Sequence, residues 1–317
     1  MAAEGRGWRI AQTLFVVAVL VGAAYAISSQ WAELSAVRAS TRTSWSGIAL
    51  ASILVFVSYA VLIATWRGTV QAWGERIGVG HATYIWFVSN LGRYLPGKVW
   101  QVGAMGVLAR QAGVAPVAAV GSALVVSLVH LLVGFAVVAA TGSALMATYL
   151  PAGPWFTLAL ALLGAGVITS PWLLPIGVRL LAGMTGRPMV APRLPPRAVW
   201  LAGAGSALAW TLFGLAFHVL SAALLGRQTG DVASSVAVFT LSYQIGFIAL
   251  FAPGGIGVRE VTMQALLVGA GAMTGPEALW LVFASRLWLT VLEIVPGSVL
   301  MLWPNNPLRP LPSSAPE

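Results

Sequence analysis

The chain has 317 residues, of which 59% are apolar and 8% charged, and its mean hydropathy is +0.88. A soluble domain carries roughly 25% charged residues, so this chain lacks the polar side chains to cover a water-facing surface. A cytosolic enzyme, a nucleic-acid module and a disordered chain are excluded together. Cysteine is absent, which removes disulfides, thiolate metal sites and cysteine nucleophiles. The net charge of +9 comes from 16 Arg and one Lys against 8 acids, and in a membrane protein such charge chiefly sets orientation.

A spanning helix needs about 20 mostly apolar residues. In chain order the segments 10–28, 47–66, 117–141, 154–173, 198–222 and 276–302 qualify. Trp8, Trp31, Trp45, Trp66, Trp155, Trp172, Trp200, Trp280 and Trp303 sit at or near their ends, where an amphipathic ring prefers the headgroup layer. Two further apolar stretches are interrupted. Residues 82–110 are broken at Tyr94-Leu95-Pro96-Gly97, and residues 232–270 at Ala252-Pro253-Gly254-Gly255-Ile256-Gly257. Pro removes a helical donor and Gly permits sharp reversal. The pieces of the first stretch are about 13 residues, or roughly 20 Å of helix, too short for a hydrocarbon core of about 30 Å. Each stretch is either a re-entrant hairpin or one kinked span.

The distribution of arginine decides between these. With both stretches as hairpins and the N-terminus cytoplasmic, Arg6, Arg9, Arg67, Arg76, Arg110, Arg179, Arg187, Arg193, Arg197 and Arg309 lie inside, and only Arg38, Arg42 and Arg227 outside. Two kinked spans would turn the 179–197 arginines outward, against the positive-inside rule. The expected architecture is therefore an all-α polytopic membrane protein of six transmembrane helices plus two oppositely oriented re-entrant helical hairpins. It forms an inverted-topology repeat, residues 1–148 followed by 149–303. The residues 304–317 form a disordered, Pro-rich cytoplasmic tail. Pro96 and Pro253 stand 157 residues apart, close to half the chain. Inverted repeats with broken helices near the midplane are the architecture of secondary transporters.

Six ionisable side chains fall inside the expected membrane core: Arg93, Lys98, Arg259 and Arg286 against Glu260 and Glu293. Each costs about 2.5–3.5 kcal/mol at a helix centre on insertion scales, so such residues are functional candidates by default. Snorkelling to the surface is the plain alternative for Arg93 and Arg259 in a shallow hairpin. It does not serve Arg286 and Glu293, which share one face of the last span with Thr290. The cluster carries two surplus positive charges. Each break also places a helix N-terminus at depth, led by Gly97-Lys98 and by Gly254-Gly255-Ile256-Gly257, and free N–H groups with the positive dipole end receive phosphate or carboxylate. Gln101 follows Lys98 one turn on, and Glu260 with Gln264 occupies the matching turn of the second hairpin. Asn90, His130, His218, Tyr243 and Gln244 are expected either to line the same cavity or to serve as interhelical hydrogen-bond partners. Small pairs such as Gly103/Gly106 and Ala202/Ser206 are expected to allow close helix packing.

No paired acids, no His/Asp/Glu metal spacing, no nucleophile elbow and no P-loop occur in the sequence. No enzymatic activity, metal or cofactor is expected. The strings Ser89-Asn90-Leu91-Gly92-Arg93-Tyr94-Leu95-Pro96-Gly97-Lys98-Val99-Trp100-Gln101 and Ala252-Pro253-Gly254-Gly255-Ile256-Gly257-Val258-Arg259-Glu260 resemble the transmembrane region of lysylphosphatidylglycerol synthases of the multiple peptide resistance factor type. That region also occurs alone in many membrane proteins. The resemblance implies a lipid flippase, and it implies functional roles for Arg93, Pro96, Gly97, Lys98, Gln101, Pro253, Gly254, Gly255, Arg259 and Glu260. The synthases' soluble transferase domain has no counterpart in this sequence, so the implied role is translocation without lysyl transfer.

The expected function is translocation of a lipid with a phosphate-bearing headgroup, a phospholipid or a polyprenyl-phosphate-linked lipid, across a bacterial inner membrane with both termini cytoplasmic. The expected partner is that lipid, with lipid-modifying or glycosyltransferase enzymes as further candidates and no nucleic acid. Two alternatives stand beside it: a secondary transporter of a small soluble anion, and a non-transporting scaffold for a lipid-linked glycosyltransferase.

Overall fold

A computed structural model describes residues 42–94, 99–142, 194–249 and 255–303, together with Leu162, Gly166, Thr169, Trp172 and Ile176. Among these residues every regular element is helical. The α-helices in chain order are α1 (Trp45–Ala72), α2 (Val79–Leu91), α3 (Val99–Gln111), α4 (Pro116–Thr141), α5 (Pro196–Leu225), α6 (Val232–Ile248), α7 (Val258–Gly269) and α8 (Gly275–Leu302), with a 3-10 turn, Gly92–Tyr94, after α2. The expected spans 10–28 and 154–173 lie outside the described residues, isolated positions of the latter excepted, as does the 304–317 tail.

Helices α1, α4, α5 and α8 run for 28, 26, 30 and 28 residues and are long and apolar enough to cross a membrane. At 1.5 Å per residue each exceeds a hydrocarbon core of about 30 Å. The protein is an all-helical membrane protein. The starts follow local chemistry: Ser44 accepts from Gly47 N at 3.2 Å to cap α1, prolines open α4, α5 and α8, and Glu277 accepts from Thr274 N at 2.9 Å before α8. Helix α1 continues six residues beyond the apolar window that ends at Trp66, because Arg67 stops hydropathy but not helix; its Nε donates to Ile77 O at 2.8 Å. Trp66 itself departs from expectation. It is 2% exposed and its Nε1–H donates to Ala119 O at 3.0 Å, so this ring is a core group and not a headgroup anchor. Trp45, Trp172, Trp200 and Trp303 remain exposed.

Of the two small pairs, Ala202 and Ser206 are buried, whereas a Cβ on Gly103 would meet nothing within 4 Å among the described residues. Outward faces are apolar, as Ile53, Phe56 and Val57 on α1 and Leu287, Val291 and Val295 on α8 show.

The helix packing has a pattern. Helices α1 and α5 form the most extensive pair, α2 packs on α8 while α6 packs on α4, and α3 packs on α2 and α4 while α7 packs on α6 and α8. Exchange α1–α4 for α5–α8 in order, and every substantial pairing among the described α-helices maps onto another. Both interrupted stretches are also tightened by glycine. A Cβ on Gly92 would stand 2.7 Å from Gln101 N, and one on Gly246 would stand 2.9 Å from Arg259 Cβ. Gly255, at φ +69°, brings its own backbone against Gly246, where an added Cβ would lie 2.9 Å from Gly246 O.

Two expectations follow. Gly255→Ala, strained at positive φ and blocked by Gly246 O, should lose about 1–3 kcal/mol of stability, read as a lowered Tm in detergent, while Gly103→Ala should leave Tm unchanged or slightly raised. Asp231 caps α6, accepting from Ser234 N and Ser234 Oγ at 2.8 Å each, and these bonds hold its carboxyl below the ordinary carboxylate range. Its contribution is then complete above the unfolded-state pKa and is lost as pH falls through the lower folded-state one. Asp231→Ala should therefore lower Tm by an amount corresponding to about 1 kcal/mol at neutral pH, and the difference should shrink towards zero as the pH is lowered to 2.

Candidate functional site

The polar stripe of α8 is where the site begins. Arg286, Thr290 and Glu293 follow the i, i+4, i+7 spacing of one helix face, and Arg286 and Glu293 are separated by about 10 Å along the axis. Neither is left bare in an apolar surrounding. Glu293 Oε1 accepts from Arg93 Nη1 at 2.9 Å, just after α2, and from the Tyr59 hydroxyl of α1 at 3.1 Å. Arg286 Nε lies 3.6 Å from Glu260 Oε1 on the first turn of α7. One residue of the stripe thus reaches the first interrupted stretch, and the other reaches the second.

Each pair is held from behind. Arg93 Nη2 also donates to Asn90 Oδ1 at 3.0 Å, and Gln101 Nε2 donates to the same oxygen across the break. Asn90 therefore joins the ends of α2 and α3 and aims the Arg93 fork at Glu293. In the second stretch Glu260 Oε2 accepts from Gly257 N at 2.7 Å, so the carboxylate caps the helix that carries it. Its other oxygen, Oε1, is buried and accepts no hydrogen bond from the described residues; at 3.6 Å Arg286 is a Coulombic neighbour only.

Arg259 is placed differently. It is 4% exposed, and its guanidinium carbon sits 3.5 Å from the Tyr243 ring centroid and 5.8 Å from that of Phe239. Such stacking stabilises a cation through the ring quadrupole, but it satisfies none of the five N–H donors. Tyr243 is within electrostatic reach of Arg93, Arg259, Arg286 and Glu293 together, which puts it in the middle of the cluster. Among the described residues three arginines face two glutamates there.

Of the expected site residues, the structure brings together Asn90, Arg93, Gln101, Tyr243, Arg259, Glu260, Arg286 and Glu293, and it places Gly255 at the tight approach of α6 and α7. Pro96, Gly97, Lys98, Pro253 and Gly254 lie outside the described residues. Three residues expected either to line the cavity or to bond between helices make interhelical contacts. Gln244 Nε2 donates to Leu131 O at 2.6 Å, fitting against Gly134, where an added Cβ would clash with it. His130 stacks on Trp210 with centroids 4.3 Å apart, and Trp210 Nε1 donates to the His130 carbonyl at 2.9 Å. His218 Nδ1 lies 3.0 Å from Ser235 Oγ, beside a cleft of about 370 Å³ between the start of α6 and the end of α7.

Tyr59 is the residue that sequence reasoning missed. Its signal was present but weak: a phenol in the middle of an apolar span, whose ring packs among Trp86, Phe87 and Phe213 while its hydroxyl needs a polar partner. Among the described residues no group of three or more His, Asp or Glu is placed to hold a metal ion. No protein-family model and no curated protein sequence matches the chain, so the resemblance to the synthase transmembrane region rests on the two motifs.

Arg93→Gln and Glu293→Gln should each lower the Tm of the detergent-solubilised protein, because each strands the other's charge, with side chains only 35% and 12% exposed. The double variant should recover part of the loss, with a coupling energy of about 0.5–3 kcal/mol in a double-mutant cycle. Simple additivity would show that the pair is not an interacting unit.

Proposed function

We propose that the protein is a lipid flippase of the bacterial inner membrane, moving a lipid whose headgroup carries a phosphate. Arg93, Arg259, Arg286 and Lys98 bind the phosphate, and Glu260 and Glu293 hold those cations between passages, so that an entering headgroup exchanges partners and no charge is stranded. The acyl chains stay in the bilayer while the headgroup travels along the polar stripe of α8. One observation carries this reading: Arg286 and Glu293 on a single apolar helix each meet the opposite charge of a different interrupted stretch.

The architecture belongs to the proposal. Helices α2, α3, α6 and α7 have 13, 13, 17 and 12 residues, about 18–26 Å, shorter than the hydrocarbon core, which supports two re-entrant hairpins. The closure of the helix pairings under exchange of α1–α4 with α5–α8 supports an inverted repeat. Six spans with cytoplasmic termini follow from the arginine distribution, and the two motifs favour the same activity through their resemblance to a flippase region. A scaffold built on the same pairs has no use for a third arginine that forms no ion pair among the described residues, which is the position of Arg259.

The test is a reconstituted assay. Purified protein in liposomes should expose fluorescent phospholipid or polyprenyl-phosphate probes to an external quencher in a headgroup-dependent manner. Arg286→Ala and Lys98→Ala should reduce the rate at least tenfold while leaving insertion and yield intact. Wild-type rates in both variants would remove the assigned site, and no movement of any anionic lipid by folded protein would remove the flippase reading.

A further inference from the structure

Two adjacent residues at the start of α7 are unsatisfied in complementary ways. The Arg259 guanidinium is 4% exposed, rests on Tyr243 at 3.5 Å, and has no hydrogen-bond acceptor among the described residues. Guanidinium donors at so little exposure gain from any acceptor that enters beside them. Next to it, Glu260 Oε1 is buried with no hydrogen-bond donor among the described residues, although Oε2 accepts from Gly257 N at 2.7 Å. Side chains on a helix lean towards its N-terminus, so both groups are drawn to the same end of α7, where its leading N–H groups favour an anion. The first turn of α7 thus offers a fork of donors and, beside it, one lone acceptor.

A bare phosphate answers only half of that arrangement. An anion would satisfy Arg259 and the helix terminus but would meet Glu260 Oε1 with like charge. A phosphodiester whose far substituent carries a hydroxyl or ammonium answers both halves: its phosphate oxygens accept from Arg259, and its O–H or N–H donates to Glu260 Oε1. Resting on the flippase reading above, we propose that Arg259 and Glu260 form a two-point subsite selecting lipid headgroups in which a phosphodiester is followed by a hydrogen-bond donor. Headgroups of equal charge that lack the donor bind more weakly, because they supply nothing to the carboxylate oxygen that the donor-bearing headgroup satisfies. Arg286 Nε, 3.6 Å from the same oxygen, is too far to serve as its hydrogen-bond donor.

The experiment compares short-chain dihexanoyl phosphatidylglycerol with dihexanoyl phosphatidylethanol, equal in charge and differing in the glycerol hydroxyls. Binding to the full chain in detergent is followed by calorimetric titration, with glycerol 3-phosphate and inorganic phosphate as soluble arms. Wild-type protein should prefer phosphatidylglycerol by about tenfold or more and bind both soluble anions more weakly than either lipid. Glu260→Gln keeps an acceptor for Gly257 N but turns an amide donor towards the headgroup, and should bring the ratio to about one. Arg259→Gln should weaken both lipids alike. Equal wild-type binding of the two lipids overturns the two-point subsite and leaves the flippase reading standing. Glycerol 3-phosphate binding as tightly as the lipid overturns the lipid as source of the headgroup. The wild-type comparison needs no variant to fold, and Tm of each variant verifies the rest.

Discussion

Charge burial in an apolar medium is the constraint on which the rest of this structure depends. Helix α8 carries Arg286 and Glu293 at mid-length, where an unpaired charge on an apolar helix is costly. Each is met by an opposite charge from outside its own helix, and the partners come from the two interrupted stretches. Residues flanking the breaks after α2 and before α7, Arg93 and Glu260, reach α8; glycines at 92, 246 and 255 let the flanking backbones approach closely; Asn90, Gln101 and the Gly257 amide fix the side chains that arrive. Seen this way, fold and site are a single problem with one solution.

The two halves pack alike but are chemically unequal. Where α1 meets α8, the Tyr59 hydroxyl binds the Glu293 carboxylate. At the corresponding contact of α5 with α4, the Trp210 indole lies against Gly134 and donates to the His130 carbonyl. The first interrupted stretch sends an arginine to α8, while α6 sends Gln244 to a backbone carbonyl of α4. Packing pattern has been kept across the halves and ionisable chemistry gathered on one of the two equivalent long helices. A single charged path beside α8, and not two symmetric ones, is what a proposed headgroup route requires.

Much of this was legible in sequence. The long apolar segments 47–66, 117–141, 198–222 and 276–302 reappear as α1, α4, α5 and α8, because twenty apolar residues have few other options. The breaks at 94–97 and 252–257 were marked by Pro and Gly, and the charged residues stood out since so few occur. What hydropathy does not encode is partner choice between helices distant in sequence. Tyr59 lies 234 residues from Glu293, and nothing local to either names the other. Gln244 and His130 read in the sequence as cavity groups or as interhelical partners alike, and only the small residue at 134 and the aromatic at 210 show the interhelical contacts they make. Trp66 near a span end reads as a headgroup anchor until Ala119 supplies its acceptor.

The central claim is that the polar stripe of α8 is a path that water and headgroups enter, and not a sealed set of structural ion pairs. The chain's lack of cysteine makes that measurable with a single substitution. Thr290, between Arg286 and Glu293, is replaced as Thr290→Cys, and its modification by a membrane-impermeant maleimide is followed from each side of oriented vesicles. Labelling from either face, slowed by anionic lipid and not by phosphatidylcholine, is the expected result. A thiol that stays unreactive from both sides in folded protein, with or without lipid, would contradict the account.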